Sequence, residues 1–154
     1  MYTCAGNFRT GPVNISGTTH QPPPASEIAE HVEDMCDYVN AKWETTSALH
    51  LASYLMWKVN WIHPFAGGNG RTSRAASYLV LCARLGYRLP GTNTIPEQII
   101  ANRQPYYGAL DAADAAWTDN RIDLAAIEQL LSELLANQLS SVIEAAGAPT
   151  DRTG

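Results

Sequence analysis

His63 opens a twelve-residue run, His-Pro-Phe-Ala-Gly-Gly-Asn-Gly-Arg-Thr-Ser-Arg, that ends at Arg74. The run has an imidazole at its head, two arginines at its tail and a Gly68-Asn69-Gly70 turn between them. Glycines permit torsions that aim successive backbone N–H groups at one spot, and a helix starting there adds partial positive charge. An anion gains about 0.3–2 kcal/mol from that dipole alone. Arg71 and Arg74 are three residues apart, so they occupy adjoining parts of a first helical turn, where planar donor forks suit phosphate oxygens. His63 could take a proton from an incoming hydroxyl, a contribution of roughly 10²–10⁴-fold in rate. Together these parts describe a site for hydroxyl attack on a nucleotide phosphate. Each alone has a plainer reading, since a glycine-rich turn is often only a turn and a histidine beside proline is often structural. Two other phosphate motifs fail here. A Walker A loop would need glycine at Phe65 and lysine at Arg71. A dinucleotide fingerprint would need glycine at Ser73, after a β-strand.

Helices are needed to hold these groups. Pro64 disfavours helical geometry at His63, so the apolar stretch from about Thr46 to Ile62 is predicted to be a helix that stops at the histidine. It is apolar on most sides (Leu49, Leu51, Tyr54, Leu55, Trp57, Val59, Trp61), which places it near the centre of the fold. A second central helix is predicted from near Gly70 to a stop at Gly86. Upstream, Ile28, Val32, Met35, Cys36 and Val39 share one helical face, with Ser26 as N-cap. Downstream, Thr94-Ile95-Pro96-Glu97 reads as a capping box, and Pro105 opens a helix reaching about Trp117. Leu124, Ile127, Leu131, Leu134 and Leu135 mark a last helix after Asp123. Residues 8–19, with Phe8, Val13 and Ile15 among polar neighbours and a Gly11-Pro12 turn, read as a small β-hairpin or extended flap. Pro22-Pro23-Pro24 then forms a stiff spacer. The predicted fold is all-α, a helical bundle with a small N-terminal β-hairpin flap. It is expected to form one domain over 1–146, with its helical core over about 26–146 and a flexible tail at 147–154.

Composition narrows the function. At 154 residues and 45% hydrophobic, the chain has material for one sizeable core. A net charge of −5 argues against nucleic acid as partner. Cys4, Cys36 and Cys82 lack CxxC or Cys/His spacing, which points to a reducing compartment and to neither a zinc site nor a disulfide framework. No apolar run is long enough for a membrane span, and no signal peptide opens the chain. The expectation is a cytoplasmic protein, or one delivered into another cell. His50, Trp43, Trp57, Trp61 and Trp117 are expected to pack inside, and His20 to be a solvated loop residue.

The run from His63 to Arg74 resembles the signature of the Fic family (Fic/Doc superfamily), His-Pro-Phe-x-(Asp/Glu)-Gly-Asn-(Gly/Lys)-Arg-x-x-Arg, with Gly67 as its serious departure. The segment from Phe8 to His20 resembles the family's target-docking flap, and Arg103 to Leu110 is similar to a recurring Arg-x-x-Tyr-Tyr-x-Ala-Leu stretch. The resemblance implies a Fic-like bundle and an enzyme that moves the AMP part of ATP onto a Ser, Thr or Tyr hydroxyl of a target protein docked at the flap. It implies His63 as general base, Gly68, Asn69 and Gly70 as anion hole, Arg71 and Arg74 on the distal phosphates, and Phe65 as the anchor of the loop in the core. Tyr106 and Tyr107 could line the nucleotide pocket or belong to the core. In the family, the acidic residue at the Gly67 position binds the magnesium that bridges the phosphates, and glycine supplies no ligand. Three readings stay open: magnesium held by phosphates and water alone, another acidic residue or another transferred group, or nucleotide binding without transfer. A restraining helix with Ser/Thr-x-x-x-Glu-(Gly/Asn) occurs in many members. Ser26–Glu30 and Ser140–Glu144 have that spacing but are followed by His31 and Ala145. The resemblance therefore assigns any restraint to a separate inhibitory partner chain or to residues beyond this sequence.

Overall fold

The computed structural model describes residues 6–147. Among them, a single 3₁₀ turn (Ala25–Glu27) leads into six helices: α1 (Ile28–Lys42), α2 (Ala48–Ile62), α3 (Asn69–Leu85), α4 (Ile95–Ala101), α5 (Gln104–Thr118) and α6 (Ala125–Gly147). The expected all-α architecture is present. The tail expected at 147–154 begins at the last residue of α6, and residues 148–154, like 1–5, lie outside the described residues.

The apolar stretch before His63 does form the central helix. Every residue of α2 from Leu51 to Val59 is buried, and the helix packs against α1, α3, α5 and α6. Ser47 caps its start, its hydroxyl accepting from the His50 N–H at 3.0 Å. The α3 helix ends on Gly86 at φ +83, the left-handed cap that glycine adopts without strain. At α4 the Glu97 carboxylate accepts from the Thr94 N–H at 2.8 Å, completing the acidic half of the predicted box. Ser26 differs from expectation. It sits within the 3₁₀ turn, and α1 starts one residue later at a Glu27 N-cap with no side-chain cap bond.

No strand forms among the described residues, so the segment 8–19 is extended with turns and is not a hairpin. The alternation of Phe8, Val13 and Ile15 reflects a strap laid across helices. Arg9 donates its backbone N–H to Pro64 O at 2.8 Å, a bond to the loop after α2 in place of a cross-strand pair. A two-stranded ribbon without further strands is marginal in water, and the helix ends here offer better partners.

Trp57, Trp61 and Trp117 form a cage. The Lys58 ammonium lies 4.9, 4.1 and 4.3 Å from the ring centroids of Trp57, Trp61 and Trp117. Burial brings its pKa down to about 8, opposed by Asp34 and Asp114. Trp57 Nε1 donates to Asp114 Oδ1 at 2.8 Å, which ties α2 to α5. His50 bridges Tyr38 Oη at 2.8 Å and Glu128 Oε1 at 2.6 Å, tying α2 to α1 and α6.

Candidate active site

The chain reverses at the end of α2, and that reversal sets the histidine. His63 lies in the left-handed region (φ 50, ψ 58), its N–H still bonded to Val59 O at 3.0 Å. Few non-glycine residues adopt this conformation, histidine more readily than most, and the following Pro64 closes the right-handed alternative. His63 Nδ1 lies 3.1 Å from Asn60 O. A carbonyl only accepts, so Nδ1 carries the proton and Nε2 keeps its lone pair. Burial lowers the His63 pKa from 6.5, and the charges of Arg9 and His20 lower it further against the Asn60 bond. The ring is a neutral base at physiological pH.

Six residues on, the loop opens into α3. Gly68 is left-handed at φ +80 and gives the helix no side-chain cap, so the first-turn N–H groups are left to other acceptors. A side-chain carbon at Gly68 would lie 3.3 Å from an Arg71 guanidinium nitrogen, and one at Gly70 would lie 3.3 Å from a nitrogen of Arg74. Both arginine forks therefore fold back over the glycine turn and put their charge at the helix N-terminus. Arg71 and Arg74 also border a groove of about 780 Å³ floored by Tyr78, Leu79, Tyr87 and Ile100. A carbon added at Gly67 meets nothing within 4 Å.

The Asn69 side chain braces the loop. It is 2% exposed, its Oδ1 accepts from Phe65 N at 2.9 Å and its Nδ2 donates to Phe65 O at 2.8 Å. Its amide is therefore occupied, and the backbone N–H is what it offers an anion. Asn69→Ala is expected to lower folding stability by about 1–3 kcal/mol through the unpaired Phe65 groups, read from a denaturant midpoint. Phe65 itself departs from expectation. It is half-buried against Phe8, ring centroids 6.1 Å apart, and lies outside the buried core cluster.

A cavity of about 140 Å³ adjoins the histidine, walled by His63, Asn60, Tyr107, Asp111, Asp114 and His20. The two tyrosines divide. Tyr107 lines this cavity, whereas Tyr106 is 3% exposed and its hydroxyl meets Asn60 Nδ2 at 2.7 Å, a contact between α2 and α5. Asn60 Nδ2 also reaches Ser73 Oγ at 2.6 Å, so one amide joins three helices behind the site. His20 is not solvated. Its Nε2 donates to Trp61 O at 2.8 Å and its Nδ1 lies 3.9 Å from Asp114 Oδ2. Burial raises the Asp114 pKa, against the Trp57 N–H that lowers it. Sequence reasoning missed Asn60, Asp111, Asp114 and Arg9. The first three share the helical faces of Met56–His63 and Tyr107–Leu110, a signal available in the spacing. Arg9 had no such signal.

Among the described residues, no group of three or more His, Cys, Asp or Glu side chains could hold a metal ion. Glycine at position 67 supplies no side-chain ligand for a cation.

Residues 1–81 match the family model described as the Fic/DOC family. The chain belongs to the Fic/DOC family. Relatives named protein adenylyltransferase Fic, from Drosophila willistoni and Drosophila melanogaster, are each 36% identical over 112 residues, covering 71% of this chain. This chain spans 20% of the length of those two proteins. Solved structures share the Fic fold. A Fic family protein from Desulfovibrio desulfuricans G20 superposes with a TM-score of 0.71 at 24% identity, covering 95% of this chain and 43% of that one. Fic-1 from C. elegans gives 0.70 at 23% identity, covering 94% and 39%. No helix among the described residues is long and apolar enough to cross a membrane.

Proposed function

We propose that this Fic chain transfers the AMP part of ATP onto a Ser, Thr or Tyr hydroxyl of a target protein docked along residues 8–19. The observation that carries this reading is His63: its Nδ1–H is committed to Asn60 O and its Nε2, at the edge of a cavity, has no partner among the described residues. In the step, the hydroxyl oxygen attacks the α-phosphorus while His63 Nε2 takes its proton. The bond from that phosphorus to the bridging oxygen breaks, and pyrophosphate leaves with the electron pair. The first-turn N–H groups at Gly68, Asn69 and Gly70 receive the phosphate oxygens nearest the reaction. Arg71 and Arg74 hold the charge that accumulates on the leaving group. Tyr107 belongs to the nucleotide pocket and Tyr106 to the core behind it. Neither nucleic acid nor a membrane has a part in this reading.

Gly67 favours a second reading. Without a protein-held metal, the site binds nucleotide and performs no transfer, as a binding module on the Fic scaffold. A separate inhibitory chain also fits either reading, since the groove beside Arg74 has an apolar floor with Leu79 68% and Tyr87 55% exposed.

Incubation with α-labelled ATP and a panel of candidate targets, with and without magnesium, tests the proposal. Label on a target supports transfer, and bound nucleotide with no label in either condition supports the binding module. The pH dependence has a defined sign. The His63 base is lost on protonation, so the transfer rate should stay level through neutral pH and bend downward only below the ordinary histidine value of 6.5. Stability follows the same direction, because the unfolded histidine binds its proton at higher pH than the folded one. Acidification from about pH 6.5 down through the folded pKa therefore costs stability.

A further inference from the structure

Arg9 is 5% exposed, and no carboxylate pairs with it among the described residues. Its donors go to main-chain carbonyls instead. Nε bonds His63 O at 2.8 Å, one terminal nitrogen bonds Gly11 O at 2.9 Å, and the other reaches Pro23 O at 2.6 Å and Ile62 O at 3.3 Å. Its own backbone N–H bonds Pro64 O at 2.8 Å. Ile62 O and His63 O are orphan acceptors at the end of α2, where the helix dipole presents negative charge. Gly11 and Pro23 are the two ends of the loop that walls the cavity beside His63 through Ile15, Gly17 and His20. The planar fork suits several acceptors at fixed angles, which an ammonium would not reproduce.

We propose that Arg9 is a positioning residue that sets His63 and the 11–23 loop as one unit, holding the histidine in its left-handed conformation and closing the base of the loop. The proposal rests on the reading of His63 as the base. Its geometry links the two places where a target hydroxyl must be met: the docking segment and the proton acceptor. The other titratable groups around the same cavity are His20 from the loop and Tyr107, Asp111 and Asp114 from α5.

The test uses the intact chain, with Arg9→Gln and Arg9→Lys beside wild type, each first checked for a cooperative melt. Histidine ring resonances followed by NMR give the His63 titration, and amide hydrogen exchange gives the opening of residues 13–20. In Arg9→Gln the titration midpoint should rise, because a nearby positive charge that lowers it is removed. Exchange over 13–20 should quicken in the same variant. Arg9→Lys keeps the charge and loses the fork, so it should leave the titration nearer wild type while the loop still exchanges faster. It also supplies the answer if Arg9→Gln does not fold. In the transfer assay, kcat should fall about 10²-fold from misplacement of the base, with nucleotide affinity unchanged. A folded Arg9→Gln with wild-type titration and wild-type exchange overturns the proposal, as does an Arg9→Lys identical to wild type in its loop. Neither readout needs catalysis, so a chain that binds ATP without transferring AMP contradicts the assignment of function and leaves the Arg9 result standing.

Discussion

Replacing His63 by alanine is expected to lower transfer by about 10²–10⁴-fold while nucleotide still binds. The imidazole has a basic Nε2 unbonded among the described residues at the cavity edge, while the groups proposed to hold phosphate lie beyond it at the start of α3. Binding and proton removal are thus carried by different elements, and the substitution separates them. Alanine at a φ of 50° adds backbone strain of its own. His63→Asn is therefore the control, because asparagine tolerates the left-handed region and has no comparable base. Both variants should lose transfer alike, with binding measured by calorimetry against ATP. A loss of binding in both would show that the histidine also holds the loop.

Gly67→Asp is expected to act in the opposite direction, raising magnesium-dependent transfer by about 10-fold or more. A protein-held cation supplies several kcal/mol to a phosphate transition state, and about 1.4 kcal/mol is tenfold. The position accepts the change. It is exposed, a side-chain carbon there meets nothing within 4 Å, and its φ is not among the positive glycine values. The sign should reverse in chelator, where an unpaired carboxylate beside the phosphates weakens ATP binding. Rates measured across a magnesium titration check both halves. Unchanged activity would show that the glycine is not what limits the site.

Much of this arrangement was legible because it is local. Pro64 marks the end of α2, the glycine turn marks the start of α3, and Gly86 marks its stop, each through torsions that depend on immediate neighbours. What escaped depends on distance or on rotation. Arg9 meets carbonyls 53 and 54 residues away, and carbonyls leave no trace in side-chain pattern. Tyr106 and Tyr107 are adjacent, about 100° apart around the helix, and only the packing of α5 on α2 buries Tyr106 and leaves Tyr107 exposed. Asn69 sits in the signature among residues suited to anions, yet its amide serves Phe65. The alternation at Phe8, Val13 and Ile15 fits a strand or a strap equally, and helix ends needing acceptors and donors selected the strap.

The central claim is that this site joins AMP to a protein hydroxyl with His63 as base. Intact-mass spectrometry of a target incubated with ATP tests it most directly, with wild-type chain and His63→Ala compared side by side. The account predicts a target heavier by one AMP residue with wild type and unmodified with the variant. A target that stays unmodified with wild type while ATP is bound, one that gains only a phosphate, or one that gains AMP equally from His63→Ala would contradict it.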